Sequence, residues 1–293
     1  MFEPVFMRLA LIAAVATGAS LGLMGVYLVI RRVVFLGLVL ANAATVGSAL
    51  AQVFGWQPEA ASITASVIAA LALGALPAPR RVSSESLMGW AYAAASSTTV
   101  LILAGAAKAD ADTLHLLFGN LLAVSLSHAV GLVLVALAIG LVHMLFRRRF
   151  LLVTFDPEAA TVAGVNTSFW SMCLNLSIGV AAAVAVHEIG ALLTFALLTL
   201  PAMAALLVTA SIRSAFTTAA ALGTALGILG LAVSFYCDLP AGPASVALLA
   251  ASVLVAAATK VLLLRKSTVQ QPVQVRTADR VSVRPSQIGR KFI

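Results

Sequence analysis

Long apolar runs separated by short polar punctuation dominate this chain. Nine stretches are long and apolar enough to read as spans: 6–30, 33–54, 60–78, 87–106, 128–146, 169–186, 189–210, 215–236 and 244–264. A helix needs about 20 apolar residues to cross a bilayer, so the pattern predicts an all-α polytopic membrane bundle of roughly eight or nine transmembrane helices. The segment 115–125 (HLLFGNLLAVS) is too short to cross alone and reads as an interfacial or re-entrant helix. The expected organisation is a transmembrane domain over 1–266 and a disordered, basic tail over 267–293. The first apolar run leads into later spans without an A-x-A-like site, so it reads as a span and not as a leader.

Composition agrees. Hydrophobic residues make up 62% and charged residues 10% of the chain, with mean hydropathy +1.08, far from the balance of a soluble domain. The net charge of +8 is no nucleic-acid signal, because the basic residues gather at span ends. If the spans alternate, Arg31-Arg32, Arg80-Arg81, Arg147 to Arg149, Arg213 and Arg265-Lys266 share one face. Glu59, Asp110, Asp112, Glu188 and Asp238 share the other; Arg8 and Lys108 are exceptions. The positive-inside rule makes the basic face cytoplasmic, as in a bacterial inner membrane, with the N-terminus outside and the tail inside. Cys173 and Cys237 have no disulfide or metal spacing.

A polar island at 154–166, TFDPEAATVAGVN, interrupts the apolar runs on the basic side. Asp156 suits a helix N-cap, Pro157 the first turn and Glu158 the positive end of the dipole. Small Ala159, Ala160 and Ala163 leave a smooth surface, and Gly164 closes the helix. Such a helix is shaped to sit in another protein's groove; the plainer alternative is a loop helix with no partner.

The string formed by Glu158, Ala159, Ala160 and Gly164 is similar to the E-A-A-x-x-x-G loop of ABC importer permeases. FDPEAATVAGV resembles the corresponding loop of the zinc/manganese/iron permease family, the ABC-3 family. Three further blocks follow that family's order: Gly37 to Gly47 after Arg31-Arg32, IGALLTFALLTLPAMA at 189–204, and DLPAGPASV at 238–246. The resemblance implies a type II importer-like permease that pairs with a second copy or a related permease. It would dock a cytoplasmic ATPase through Asp156, Pro157, Glu158, Ala159, Ala160 and Gly164. A periplasmic or lipid-anchored binding protein would deliver the substrate, a divalent transition metal such as zinc, manganese or iron. The chain has no G-x-x-x-x-G-K-[ST] loop. It is therefore expected to be a transport subunit without enzymatic activity or a bound cofactor, with ATP and magnesium held by the partner.

At the family's metal site the chain departs from the pattern. Where the family's second span carries an Asp and, one turn later, a His, this chain has Leu38 and Asn42. Leu38, Asn42 and Pro201 are candidate residues of the translocation path. Asn42 alternatively makes a helix–helix hydrogen bond, and Pro201 is expected to kink its span. His187 and Glu188, adjacent at the outer end of two spans, are the candidate metal ligands, although neighbours on a helix point about 100° apart. His115 and His128 flank the short segment, and the letters LSHA at 126–129 read as a coincidence with the family motif. His143 is expected at the membrane interface and Asn175 as polar glue. Gly18, Gly22 and Gly25, with Gly223, Gly227 and Gly230, form small packing faces. The cargo stays open between a metal ion at a rearranged site and a chelated metal or other small solute. A secondary transporter is a third reading, weakened because no acid lies within a span.

Overall fold

The computed structural model describes residues 5–75, 82–105 and 124–269. Among them are ten helices and no strand: α1 (Val5–Ile30), α2 (Val34–Phe54), α3 (Pro58–Ala75), α4 (Ser84–Ala104), α5 (Leu126–Leu145), α6 (Arg147–Phe155), α7 (Pro157–Val162), α8 (Thr167–Val208), α9 (Ile212–Cys237) and α10 (Ala241–Val269). Seven of these are long and apolar enough to cross a membrane, and α3 is a shorter apolar helix. Residues 115–123 of the short segment, Arg80-Arg81 and the tail from 270 onward lie outside the described residues. Helix α10 runs to Val269, three residues into the stretch expected to be tail.

The 42-residue α8 organises the bundle, packing on α1, α2, α3, α9 and α10. Straight, it would extend about 63 Å, twice the roughly 30 Å hydrocarbon layer. It is not straight. Gly190 has φ 77° and ψ 163°, a region essentially restricted to glycine, and the chain reverses there. Before the break, Asn175 Oδ1 accepts a hydrogen bond from Arg31 Nη1 at 3.4 Å. After it, the Leu198 carbonyl lies against Gly25 and its side chain against Gly37. Both limbs of α8 therefore come back to the α1–α2 turn, with 187–190 at the opposite end. The two spans expected at 169–186 and 189–210 are these two limbs. Helical φ/ψ persist through Pro201, the position of the expected kink, and the backbone departs from them only at Gly190. Contacts of Leu198 and Ala202 with Gly25 of α1 hold that limb in place despite the missing donor.

The glycine faces pack as expected. A Cβ on Gly18 would stand 2.6 Å from the Gly223 carbonyl oxygen, and one on Gly22 2.6 Å from that of Ala219, so α1 and α9 meet backbone to backbone. Elsewhere buried hydroxyls tie the helices. Ser66 Oγ in α3 donates to the Leu40 carbonyl at 3.2 Å and the Gly179 carbonyl at 3.0 Å. Ser48 and Ser62 pair at 2.7 Å, and Thr45 and Thr99 at 3.1 Å.

Candidate functional site

Two polar features stand at opposite ends of the bundle. At the acidic end, the N-termini of α3 and α5 and the turn of α8 bring together Glu59, His128, His187 and Glu188. Their positions follow from local rules: Glu59 sits in the first turn of α3, and Ser125 caps α5 by accepting from the His128 N–H at 3.4 Å. His187 and Glu188 end the first limb of α8, just before Gly190. His128 Nε2 is 2.7 Å from Glu59 Oε1, and its Nδ1 is 2.9 Å from Glu188 Oε1. His187 Nε2 lies 3.9 Å from the same Glu59 oxygen. The two imidazoles meet edge to face, with ring centroids 5.6 Å apart. One donor atom each from Glu59, His128 and His187 fall within 4.8 Å of one another. These residues line a cavity of about 210 Å³ whose other walls include Ile63, Ala183 and Val184. The Glu188 side chain is only 8% exposed, against 55% for Glu59, so the site runs from an open carboxylate to a sheltered one. Paired imidazoles and carboxylates of this kind suit transition-metal cations.

At the basic end, α6 and α7 form an elbow between α5 and α8. Asp156 Oδ1 accepts from the Ala159 N–H at 2.8 Å, and Pro157 opens α7. Gly164 takes φ +75° as the chain leaves, while the Val165 N–H returns to the Ala160 carbonyl at 2.9 Å. Ala160 is buried, whereas Asp156, Pro157, Glu158 and Ala159 are exposed; Val162 is 90% exposed. Arg147, Arg148, Arg149 and Arg213 share one pocket here, so the turn before α9 belongs to the same end.

Of the sequence-predicted residues, His187 and Glu188 do reach one site: His187 faces Glu59 and His128, and Glu188 contacts His128. Sequence reasoning missed Glu59 and gave His128 little weight. Asn42 is buried, and its Nδ2 donates to the Leu38 carbonyl in its own helix at 3.0 Å. Leu38 is half-buried and Pro201 buried; neither is among the residues that line the acidic-end cavity. His143, expected at the membrane interface, is 3% exposed, pairs with Ser177 Oγ at 3.0 Å and stacks on Phe150 at 4.5 Å, because α6 folds Phe150 back over it.

A multi-pass helical membrane protein with a donor-lined cavity at one end and an exposed helical elbow at the other has the build of a transport subunit. The chain belongs to the ABC 3 transport family, whose model matches residues 3–260. It is 28% identical to the manganese transport system membrane protein MntC of Listeria monocytogenes, over 82% of this chain and 86% of that one. It is also 28% identical to the chelated iron transport system membrane protein YfeD of Yersinia pestis, over 81% and 80%. Among solved structures it is similar to PsaBC from Streptococcus pneumoniae in complex with Fab, with a TM-score of 0.80 and 25% identity over 90% of this chain and 96% of that one.

Proposed function

We propose that this chain is the membrane-spanning subunit of an ATP-driven importer that carries a divalent transition metal from the acidic to the basic face of the bundle. The observation that carries this reading is the exposed elbow. A capped six-residue helix with Glu158 at its positive end and Val162 bare at its tip leaves apolar surface that a partner would cover. The chain supplies no phosphate-binding loop, so the partner at that face is an ATPase whose nucleotide-driven movement is passed through α6 and α7. Two permease copies, or this chain with a related one, would present a pair of elbows to an ATPase dimer. A substrate-binding protein would meet the acidic end.

The names of the similar proteins supply the cargo class, manganese and chelated iron. A chelated metal is the second reading, favoured by Leu38 and Asn42 in α2, which offer no anionic ligand. The test is a pull-down of the tagged chain from its own membranes, with metal content measured in cells with and without the gene. A P-loop ATPase comes down with the wild-type chain and is lost in Glu158→Arg, whose insertion is unchanged. Wild-type uptake by Glu158→Arg overturns the docking role.

A further inference from the structure

We infer that Glu59, His128 and His187 form a binding site for a divalent transition metal ion at the acidic end, with Glu188 holding His128 in the ligating orientation. This rests on the reading of metal as cargo and names the place where the ion first enters the permease.

Geometry comes first. Two ligands about 2.1 Å from a tetrahedral ion stand about 3.4 Å apart. Glu59 Oε1 is already 2.7 Å from His128 Nε2 and 3.9 Å from His187 Nε2, so small side-chain rotations bring all three to one centre. No helix need move. The ligands come from three separate helices, α3, α5 and α8, so the site depends on the tertiary fold and not on a local motif. The cavity of about 210 Å³ leaves space beyond the ion for waters, each of which takes about 30 Å³ of liquid volume.

The hydrogen-bond pattern selects the ligand atoms. An ionised carboxylate only accepts, so Glu188 takes the Nδ1–H of His128 and leaves Nε2 directed at Glu59. A carboxylate behind a ligating imidazole fixes its tautomer and raises its basicity. When the ion arrives, it replaces the proton between His128 Nε2 and Glu59, and that proton leaves to water. His187 is the less restrained ligand. Its Nδ1 is buried with no hydrogen-bond partner, and its Nε2 is beyond hydrogen-bond reach of Glu59, available to the ion.

Charge selects a divalent cation. Two carboxylates and two neutral imidazoles sum to minus two, which one divalent ion neutralises in full. That balance matters most for Glu188, the sheltered member, because an unpaired buried carboxylate is strongly disfavoured. A chelate carrying its own anionic ligands would not satisfy it. Among the described residues, this is the group of three or more His, Cys, Asp or Glu donors that converges in this way.

The test uses the full chain in nanodiscs, titrated with Zn²⁺ by equilibrium dialysis and with Co²⁺ followed by its visible ligand-field absorption. The wild-type chain binds one Zn²⁺, and Co²⁺ shows bands typical of mixed nitrogen and oxygen ligation. His128→Ala and His187→Ala each weaken Zn²⁺ binding by about 100-fold or more, and Glu188→Gln by roughly 10- to 100-fold with altered Co²⁺ bands. Glu59→Gln, at an exposed position that does not threaten folding, also weakens binding; co-purification of the ATPase serves as the control for assembly. No binding by the wild-type chain, or wild-type affinity in Glu59→Gln and His128→Ala, overturns the site. Failure of the transport reading is seen separately: cellular metal content does not respond to the gene, or no ATPase is captured, whatever the purified chain binds.

Discussion

Replacing Gly190 by alanine isolates the feature on which both the bundle and its acidic end depend. At φ 77° and ψ 163° an L side chain is strained, and holding it there costs about 1–3 kcal/mol. Each 1.4 kcal/mol is a factor of about ten, so the native turn becomes about 5- to 150-fold less favoured relative to relaxed alternatives. Relaxation has one direct consequence. His187 and Glu188 lie three and two residues before the turn, and changing it rotates them away from Glu59 and His128, which sit on other helices. Apparent Zn²⁺ affinity therefore falls by up to that same factor, since only the correctly turned fraction binds. The assay pairs a thermal melt of the purified chain with the Zn²⁺ titration, using Gly89→Ala as control because a Cβ there meets nothing within 4 Å. Gly190→Ala melts well below both the wild-type chain and the control. Equal melting temperatures and equal Zn²⁺ affinities would show that α8 does not owe its reversal to this glycine.

Three other outcomes follow from the same geometry. Gly18→Ala places a Cβ 2.6 Å from the Gly223 carbonyl oxygen, so α1 and α9 must part; the expected loss is about 1–3 kcal/mol, seen as a lower melting temperature, and an unchanged melt refutes backbone contact there. Asp156→Ala removes the acceptor 2.8 Å from the Ala159 N–H and weakens the first turn of α7 by about 1 kcal/mol; hydrogen exchange at Ala159 and Ala160 speeds up while the spans are unaffected. Zn²⁺ binding weakens as pH falls, because protons compete with a metal ion for nitrogen and carboxylate ligands; a flat profile between neutral and mildly acidic pH contradicts ligation at this site.

Much of the architecture was legible along the chain because the bilayer imposes a length and a polarity on each span. The nine apolar stretches and the Asp156-Pro157-Glu158 helix start are local signals, and the described residues have a helix at each. The donor cluster was only half legible. His187 and Glu188 stood out because charged neighbours are rare at the end of an apolar run. Glu59 and His128 looked like ordinary polar residues beside turns, since their pairing depends on how α3 and α5 pack against α8. Pro201 and Gly190 show the same limit from the other side. A proline removes a donor wherever it stands, yet tight packing on Gly25 lets the helix continue. A glycine declares nothing until tertiary contacts demand the conformation that only it tolerates. The burial of His143 left no mark in the sequence because the elbow that covers it follows it and folds back.

The two ends of the molecule are connected by one limb of α8. It starts at the Asn166 cap, where the Asn166 side chain accepts from the Phe169 N–H at 3.0 Å, next to the elbow that α6 and α7 build. It ends at His187 and Glu188. At 1.5 Å per residue that limb is about 33 Å long, and its backbone shows no departure from helical geometry before Gly190. A continuous helix of this kind does not absorb displacement along its axis. A movement imposed on the elbow would therefore reach Glu188 as a shift of the whole limb, which ends at Gly190, directly beyond the two residues that line the cavity. Because Glu59 and His128 stand on other helices, such a shift changes the distances among the four side chains without any change in their own conformation. The sharp turn at Gly190 is thus what allows a single rigid limb to be anchored near the elbow at one end and to complete a donor cluster at the other.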